Sequence, residues 1–261
     1  ELLQQAGFEW LASSQSVLQH SLQRSGGGEI HSCVWRLHGS PISGFFRDDG
    51  LSDNIGFVYK DWQAQHAVAD LVHHLEALSH QRHGGLVVLA LDGENPWEYY
   101  ADNGIDFVRG LYAALANHPQ LRLSTFAGFL DQAAAVPPDL NTLSAGSWVH
   151  GQLLTWIGSS GKNQAWELLV EAKRRFDATP EPSAAAQHAL GACEGSDWFW
   201  WPGMPHPGAA VAEFDRLFRA HLRHLYHCLD AAPPALLDHP LSFEPSDTPA
   251  SAPLGAMLPN R

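Results

Sequence analysis

Six consecutive apolar residues at positions 86–91, LeuValValLeuAlaLeu, constrain the fold of this chain more than any other feature. A glycine precedes the run and Asp92 follows it. Such a run is typical of a parallel strand that is covered on both faces. Helical patterns at 51–79 and 104–117 flank it, with a break expected near Lys60 in the first of them. The sequence therefore predicts an α/β fold with parallel strands, in which polar residues behind the strands carry the chemistry.

The remaining patterns predict shorter elements around this run. Apolar runs and alternation predict strands at 8–12, 31–37, 44–48 and near 121–123. Helical spacing predicts helices at 15–23, at about 163–176 and across the apolar positions between 214 and 229. Stretches rich in alanine and proline at 133–140, 179–186 and beyond 231 are interpreted as linkers or tail.

Charge and cysteine content exclude several kinds of partner. The chain carries 15 Lys and Arg against 28 Asp and Glu, a formal net charge of −13, so neither nucleic acid nor an anionic membrane is expected to bind it. No apolar run approaches the roughly 18 residues of a membrane span. Cys33, Cys193 and Cys228 are far apart and odd in number, which is typical of a reducing compartment. With no visible signal peptide, a cytoplasmic location is expected.

The segment LeuAspGlyGluAsnProTrp at 91–97 contains the sharpest local signal for chemistry. Asp92 stands directly behind the apolar run, and Glu94 follows two residues later. A carboxyl group at a strand end with apolar walls can have a raised pKa, which a general acid requires. A simpler interpretation is that Asp92 caps the next element while Glu94 is solvated, and spacing alone favours this simpler interpretation.

A second polar cluster lies at 46–53, PheArgAspAspGlyLeuSerAsp. Arg47 could hold a carboxylate or a substrate hydroxyl, and Asp48 or Asp53 could bind a ligand. These residues, with Ser52, could equally serve as capping groups of the helix that follows. Composition alone favours the capping roles.

Aromatic and histidine clusters are the last candidates. The chain has 10 tryptophans. Indole rings stack on the C–H faces of sugars, but packing in a core is expected for roughly half of the clustered rings or more. His221, His224 and His227 fan around their predicted helix, so a single metal could take at most two of them and no metal site is expected. The aromatic clusters are Trp97/Tyr99/Tyr100, Trp148/Trp156 and Trp198/Trp200/Trp201.

Four segments in one order resemble glycoside hydrolase family 57, with the greatest likeness to its amylopullulanase-like and α-amylase-like members. The likeness runs from residue 1 to about 230. The segments are PhePheArgAspAspGlyLeuSerAspAsnIleGlyPheValTyr within 45–59, LeuAspGlyGluAsnProTrpGluTyrTyr at the start of 91–112, GlySerTrpValHisGly with TrpIleGly within 146–158, and GluGlySerAspTrpPheTrpTrp at 194–201.

The resemblance implies an α/β fold that is part of an incomplete, seven-stranded β/α barrel followed by a helical domain. Residues 1–130 would form the C-terminal portion of the barrel catalytic domain. Residues 131–230 would form Trp-rich loops and the helical domain, and residues 231–261 a Pro-rich linker or tail.

The resemblance also implies retaining hydrolysis of α-glucans such as starch, glycogen and pullulan, with no metal or organic cofactor. The family uses a glutamate nucleophile and an aspartate acid/base, and the aspartate of its motif matches Asp92. The family nucleophile precedes the helix that matches residues 1–10, so it is expected upstream of Glu1 and the chain is expected to be a fragment. Glu94 lies too near Asp92 to flank the sugar from its other side, since retaining carboxyl groups stand about 5–5.5 Å apart.

Softer roles follow from the same resemblance. Trp97 and Glu98 would shape the pocket of the acid, and the loop at 194–198 would reach over the barrel mouth. The expected substrate-binding residues are Arg47, Asp48, Glu94, Trp97, Trp148, His150, Asp197 and Trp198.

Other functions stay open. Within the same class, an α-glucan transglycosylase (a 4-α-glucanotransferase or a branching enzyme) differs only in how well water competes with an acceptor sugar. A non-catalytic barrel that holds glucans through its tryptophans is a different class. A metal-dependent deacetylase or α-mannosidase is least favoured, because Asp48 and Asp92 have no companion histidine motif.

Overall fold

The computed structural model describes residues 2–23, 32–81, 85–132, 136–202, 206 and 208–241. The chain divides into two compact units, one ending at Gln152 and the other beginning at Leu153. The domain limits predicted at residues 130 and 230 stay predictions. Within the described ranges, no helix is long and apolar enough to cross a membrane.

A mixed four-stranded sheet forms the centre of the first unit. Its strands are β1 (Trp10–Ser14), β2 (Trp35–Leu37), β3 (Ser43–Arg47) and β4 (Asp139–Leu140). The spatial order is β1-β3-β2-β4, with β1 parallel to β3, β2 antiparallel to β3, and β4 parallel to β2. β3 is the best covered strand, since Phe45 and Phe46 are both fully buried and belong to separate apolar clusters.

The expected parallel barrel differs from this sheet. The chain is expected to hold part of a seven-stranded parallel barrel, whereas the described residues form a four-stranded sheet in which β2 runs antiparallel to β3. The reason is a tight turn between β2 and β3, in which Gly39 has a φ of 71° and the Leu37 amide donates to the Ile42 carbonyl at 3.2 Å. A connection this short joins antiparallel strands, because parallel strands need a long crossover. Residues 121–123 form no strand either.

The apolar run at 86–91 is extended but does not form a strand ladder. Its backbone makes isolated hydrogen bonds instead: the Leu86 amide donates to the Ser32 carbonyl at 3.0 Å, and the Asp48 amide donates to the Val88 carbonyl at 2.9 Å. The predicted coverage of both faces is confirmed. Leu86, Val88 and Ala90 pack into the cluster around Phe45, whereas Val87, Leu89 and Leu91 pack against the helices.

Helices and short turns complete the first unit. The predicted break in the long helix at 51–79 is confirmed by a π-helical turn at Asn54–Val58 and a 3-10 turn at Tyr59–Asp61. Further 3-10 turns lie at Asn95–Tyr99 and Ala101–Gly104. The helices are α1 (Leu2–Gln5), α2 (Gln15–Ser21), α3 (Asp49–Asp53), α4 (Ala64–Gln81), α5 (Ile105–Ala116) and α6 (Phe126–Leu130).

The second unit is helical and has one apolar core. Its helices are α7 (Ser160–Asp177), α8 (Ala184–Cys193), α9 (Asp197–Trp200) and α10 (Gly208–Cys228). The sequence analysis missed α8 because alanine and proline dominate the stretch at 179–186. The overlooked signal is Ser183, whose hydroxyl accepts a hydrogen bond from the Ala186 amide and caps the helix.

The segment at 231–241, assigned to the tail from its composition, packs on this core. Leu237 and Leu241 are buried there. A buried ion pair on α10 holds the segment: Arg219 donates to Asp215 and to the Leu237 carbonyl, while Asp215 accepts from the Leu241 amide at 3.1 Å. Residues 242–261 lie outside the described residues.

We expect Asp215→Ala to lower the free energy of unfolding by about 3–5 kcal/mol, because it leaves the Arg219 charge buried without its partner. Urea unfolding followed by tryptophan fluorescence measures the change. The matched control is Glu213→Ala, which removes the exposed Glu213–Arg216 pair of the same helix and should change the free energy of unfolding far less. Equal losses in the two variants would contradict a structural role for the buried pair.

Candidate active site

The guanidinium of Arg47 organises the carboxyl end of β3. Its side chain is 6% exposed. Nε donates to Asp49 at 2.9 Å and Nη2 donates to Asp53 at 2.5 Å. Nη1 donates to the carbonyl oxygen of Ala90 at 3.0 Å. All three donor groups therefore have acceptors, and one of these acceptors lies two residues before Asp92.

Local sequence explains why these carboxylates face Arg47. Asp48 caps α3 by accepting from the Leu51 amide at 2.8 Å, so the helix starts directly behind the strand. Asp49 and Asp53 lie one helical turn apart, which brings both to the same side of α3. Asp49 also accepts from the amide and hydroxyl of Ser16, at 3.2 and 2.9 Å. The capping role considered for Asp48 is thus confirmed, while Asp53 pairs with Arg47 instead.

Asp92 lies at the end of a backbone segment that side chains anchor. The Ala90 amide donates to the hydroxyl of Ser52 at 3.3 Å, and the Ala90 carbonyl accepts from Arg47. Asp92 is half-buried, whereas Glu94 is exposed. The structure therefore brings the segment that carries Asp92 to the group formed by Arg47, Asp49 and Asp53, here called the Arg47 cluster.

Trp148 joins this region from a distant part of the chain. Its ring lies 5.0 Å from the Arg47 guanidinium carbon, a cation–π arrangement. Two residues on, His150 is exposed and has a φ of 54°. The loop is held against α2, where His20 Nδ1 lies 3.1 Å from the Gly151 carbonyl oxygen. The predicted residues Arg47, Asp48 and Trp148 thus share one region of the first unit.

Trp97 packs into the core. Its ring centroid lies 5.4 Å from that of Tyr100 and 6.3 Å from that of Phe107. The Tyr100 hydroxyl donates to the Ile55 carbonyl of the π-helical turn at 2.5 Å, and burial raises the pKa of this hydroxyl. Gly104, with a φ of 73°, leaves room for the Trp97 ring. This aromatic cluster joins the 3-10 turns behind Asp92 to the helices.

Asp197 and Trp198 belong to the second unit. Trp198 donates from Nε1 to the Ala192 carbonyl at 2.7 Å and packs against Phe218 at a centroid distance of 5.9 Å. Asp197 is exposed at the start of α9. Trp198 therefore has a packing role, and its expected sugar contact stays a prediction.

Sequence reasoning missed two buried polar residues of the second unit. Lys162 is 5% exposed and donates to the Thr155 carbonyl. Burial lowers its pKa from 10.5 to about 8. His206 lies beside Trp201, with ring centroids 4.7 Å apart, and burial and then the Lys162 charge lower its pKa. The sequence around Lys162 does not indicate that this residue is buried, because lysines are mostly exposed in proteins.

The part of the chain that the structure describes contains no cluster of metal-ligating side chains. No group of three or more His, Cys, Asp or Glu side chains is placed there to hold an ion. On α10, Cys228 Sγ lies 3.6 Å from His224 Nε2, which makes only a pair.

The sequence pattern of Glycosyl hydrolase family 57 matches residues 1–138, which include the Arg47 cluster and Asp92. The chain belongs to this family. A comparison with curated proteins finds no match.

Several solved structures have a similar fold, and two of them are family-57 enzymes. A branching enzyme from Thermococcus kodakaraensis, solved in complex with glucose, has a TM-score of 0.67 at 14% identity, over 87% of this chain and 52% of that one. A branching enzyme from Pyrococcus horikoshii has a TM-score of 0.60 at 14% identity, over 99% and 60%. The 4-α-glucanotransferase from Thermococcus litoralis has a TM-score of 0.50 at 16% identity, over 87% and 38%. This family-57 chain thus spans at most three-fifths of these structures.

We expect Gly104→Ala to destabilise this family-57 chain by about 2–4 kcal/mol, because the added Cβ would lie 2.6 Å from the Trp97 ring at a backbone angle that disfavours it. Gly7→Ala is the matched control, since Gly7 also has a positive φ but has open space around it. Its cost should stay near about 1–2 kcal/mol. Urea unfolding measures both, and equal losses would show that Trp97 packing is not tight there.

Lys162 should make stability depend on pH. Between pH 8 and 10.5 the unfolded chain holds the lysine proton and the folded chain releases it, so stability should rise with pH across this window. Below pH 8 both states are protonated and the dependence disappears. Urea unfolding of the protein and of Lys162→Met at about pH 7 and about pH 10 measures the slope. Lys173→Met, an exposed lysine of α7, is the control and should retain the slope; a wild-type slope in Lys162→Met would refute the assignment.

Proposed function

We propose that this chain forms part of a family-57 catalytic domain that acts on α-glucans by a retaining double displacement, with Asp92 as the general acid/base. The observation that carries the proposal is the family match, which includes Asp92 and the anchored segment behind which it stands. In such a reaction the acid protonates the departing glycosidic oxygen while a second carboxylate attacks the anomeric carbon. The acid then acts as a base toward the incoming acceptor.

The position of Asp92 supports the role of acid over that of Glu94. A general acid must be held within reach of the leaving oxygen, and Asp92 stands directly behind the segment that Ser52 and Arg47 anchor. Glu94 is exposed two residues farther along the chain. Glu94 therefore fits a contact with sugar hydroxyls better than it fits proton transfer.

We propose that Trp148 and His150 contact sugar, because their loop reaches the Arg47 cluster and His150 is exposed. Arg47 and Asp48 are already engaged with protein groups, so we assign them to holding the site together rather than to binding glucan. Asp197, exposed in its family-like segment, remains a proposed sugar contact.

Glycosyl transfer is the second candidate beside hydrolysis. The specific observation that favours it is that the three similar structures are named as two branching enzymes and a 4-α-glucanotransferase. Both reactions share the glycosyl-enzyme step and diverge when water or a sugar hydroxyl attacks it. Asp92 serves as the base in either case.

Asp92→Asn should lower the turnover of amylose by a factor of about a hundred or more, because it removes the proton donor. The assay compares residues 1–261 with the complete product of the gene, and measures both reducing-sugar release and transfer to labelled maltose. Asp106→Asn, which changes an exposed carboxylate in the first turn of α5, is the control and should retain the turnover.

Each product pattern selects one function. New reducing ends indicate hydrolysis, whereas labelled longer or branched chains without new reducing ends indicate transfer. Glucan binding without turnover in the complete gene product would support the non-catalytic barrel. Full activity of Asp92→Asn would contradict the assignment of the acid.

A further inference from the structure

We infer that Ser52, acting with Arg47, is a positioning residue for Asp92, an inference that rests on the proposed function. The hydroxyl of Ser52 accepts from the Ala90 amide, and Arg47 donates to the Ala90 carbonyl. Both backbone groups of the residue two places before Asp92 are thus held by side chains.

These two hydrogen bonds of Ala90 with Ser52 and Arg47, here called the Ala90 clamp, are unusual because residues 86–91 form no strand ladder. Residues 86–91 are assigned to no strand, and among the described residues their backbone bonds to neighbouring segments are those at Leu86 and at Val88. In a regular parallel strand, neighbouring backbones would hold each amide and carbonyl. At Ala90 two side chains replace those neighbours.

Both side chains of this clamp are rigid. Ser52 is fully buried and Arg47 is 5% exposed. Ser52 lies on α3, which Asp48 caps, and Arg47 is fixed by Asp49 and by Asp53. The Ala90 clamp therefore fixes the segment that ends in Asp92 relative to α3, which carries Ser52, and to β3, which carries Arg47.

An acid/base residue needs such support. A general acid must lie within hydrogen-bond reach of the leaving oxygen, and a displacement of about 1 Å can cost about a hundredfold in rate. Only Leu91 separates Ala90 from Asp92, so rotation of the Ala90 peptide would move the Asp92 carboxylate. The same turn that begins α3 thus serves the chemistry at Asp92.

The experiment compares aryl α-maltosides with two leaving groups in the complete gene product. A dinitrophenol leaves without a proton, whereas a phenol needs the general acid. Ser52→Ala should lower kcat/KM, which reports formation of the glycosyl-enzyme, about tenfold or more for the phenyl substrate, and should change it less than about threefold for the dinitrophenyl substrate. Exchange of the Ala90 amide proton, followed by NMR, should accelerate in the same variant.

Two further variants complete the design. Ser21→Ala removes another hydroxyl that accepts from a distant backbone amide, that of Ser144, and should leave both rates unchanged. Ser52→Cys keeps the volume near that of serine with a weaker hydrogen bond, and should fold and show a smaller loss of the same kind if Ser52→Ala does not fold.

The outcomes separate the two hypotheses. In the first outcome, Asp92→Asn loses kcat/KM selectively with the phenyl substrate, whereas Ser52→Ala and Ser52→Cys lose it equally with both substrates or not at all. This outcome overturns the positioning role of Ser52 and leaves Asp92 as the acid. If Asp92→Asn shows no dependence on the leaving group, the acid assignment itself fails, and the positioning role fails with it. Selective loss in both variants supports both.

Discussion

The buried guanidinium of Arg47 is the interaction on which the rest of the first unit depends. It joins the end of β3, the first turn of α3, the extended segment before Asp92 and the loop of Trp148. A buried cation is tolerated only when its donors have partners, and Asp49 and Asp53 provide them. Ala90 and Trp148 are far from Arg47 in the sequence, so this single charge links the end of β3 to two distant segments.

The second unit has a comparable arrangement of a different kind. Its ion pair, Asp215 with Arg219, bonds to the backbone of the segment at 231–241 and holds Leu237 in the helical core. Each unit thus uses a buried arginine with its carboxylate partners to hold a segment outside the sheet and the long helices. The segment is 86–91 in the first unit and 231–241, which contains a 3-10 turn at Ala235–Asp238, in the second. This use of ion pairs specifies position more than it adds stability, since burying charges is costly.

Much of the organisation could be predicted from the sequence because it rests on local patterns. Coverage of 86–91 on both faces follows from six apolar residues in a row, and the break before α4 follows from the interruption near Lys60. The acid candidate could be singled out because Asp92 stands directly behind that run. Membership of family 57 could be inferred from motif order. The antiparallel pairing of β2 with β3 also has a local signal that the sequence analysis overlooked, because only residues 38–42 separate the two strands.

The candidate site likewise combines features that the sequence determined with features that only the tertiary structure decided. By itself the sequence determined which polar residue types stand directly behind the apolar runs, namely Arg47, Asp48 and Asp92, because residue type and spacing are local properties. Only the tertiary structure decided that Trp97 fills a core and that Ser52 bonds to Ala90. Hydrogen bonds and ring contacts between distant residues depend on the three-dimensional path of the chain, and no local pattern in a single sequence encodes that path.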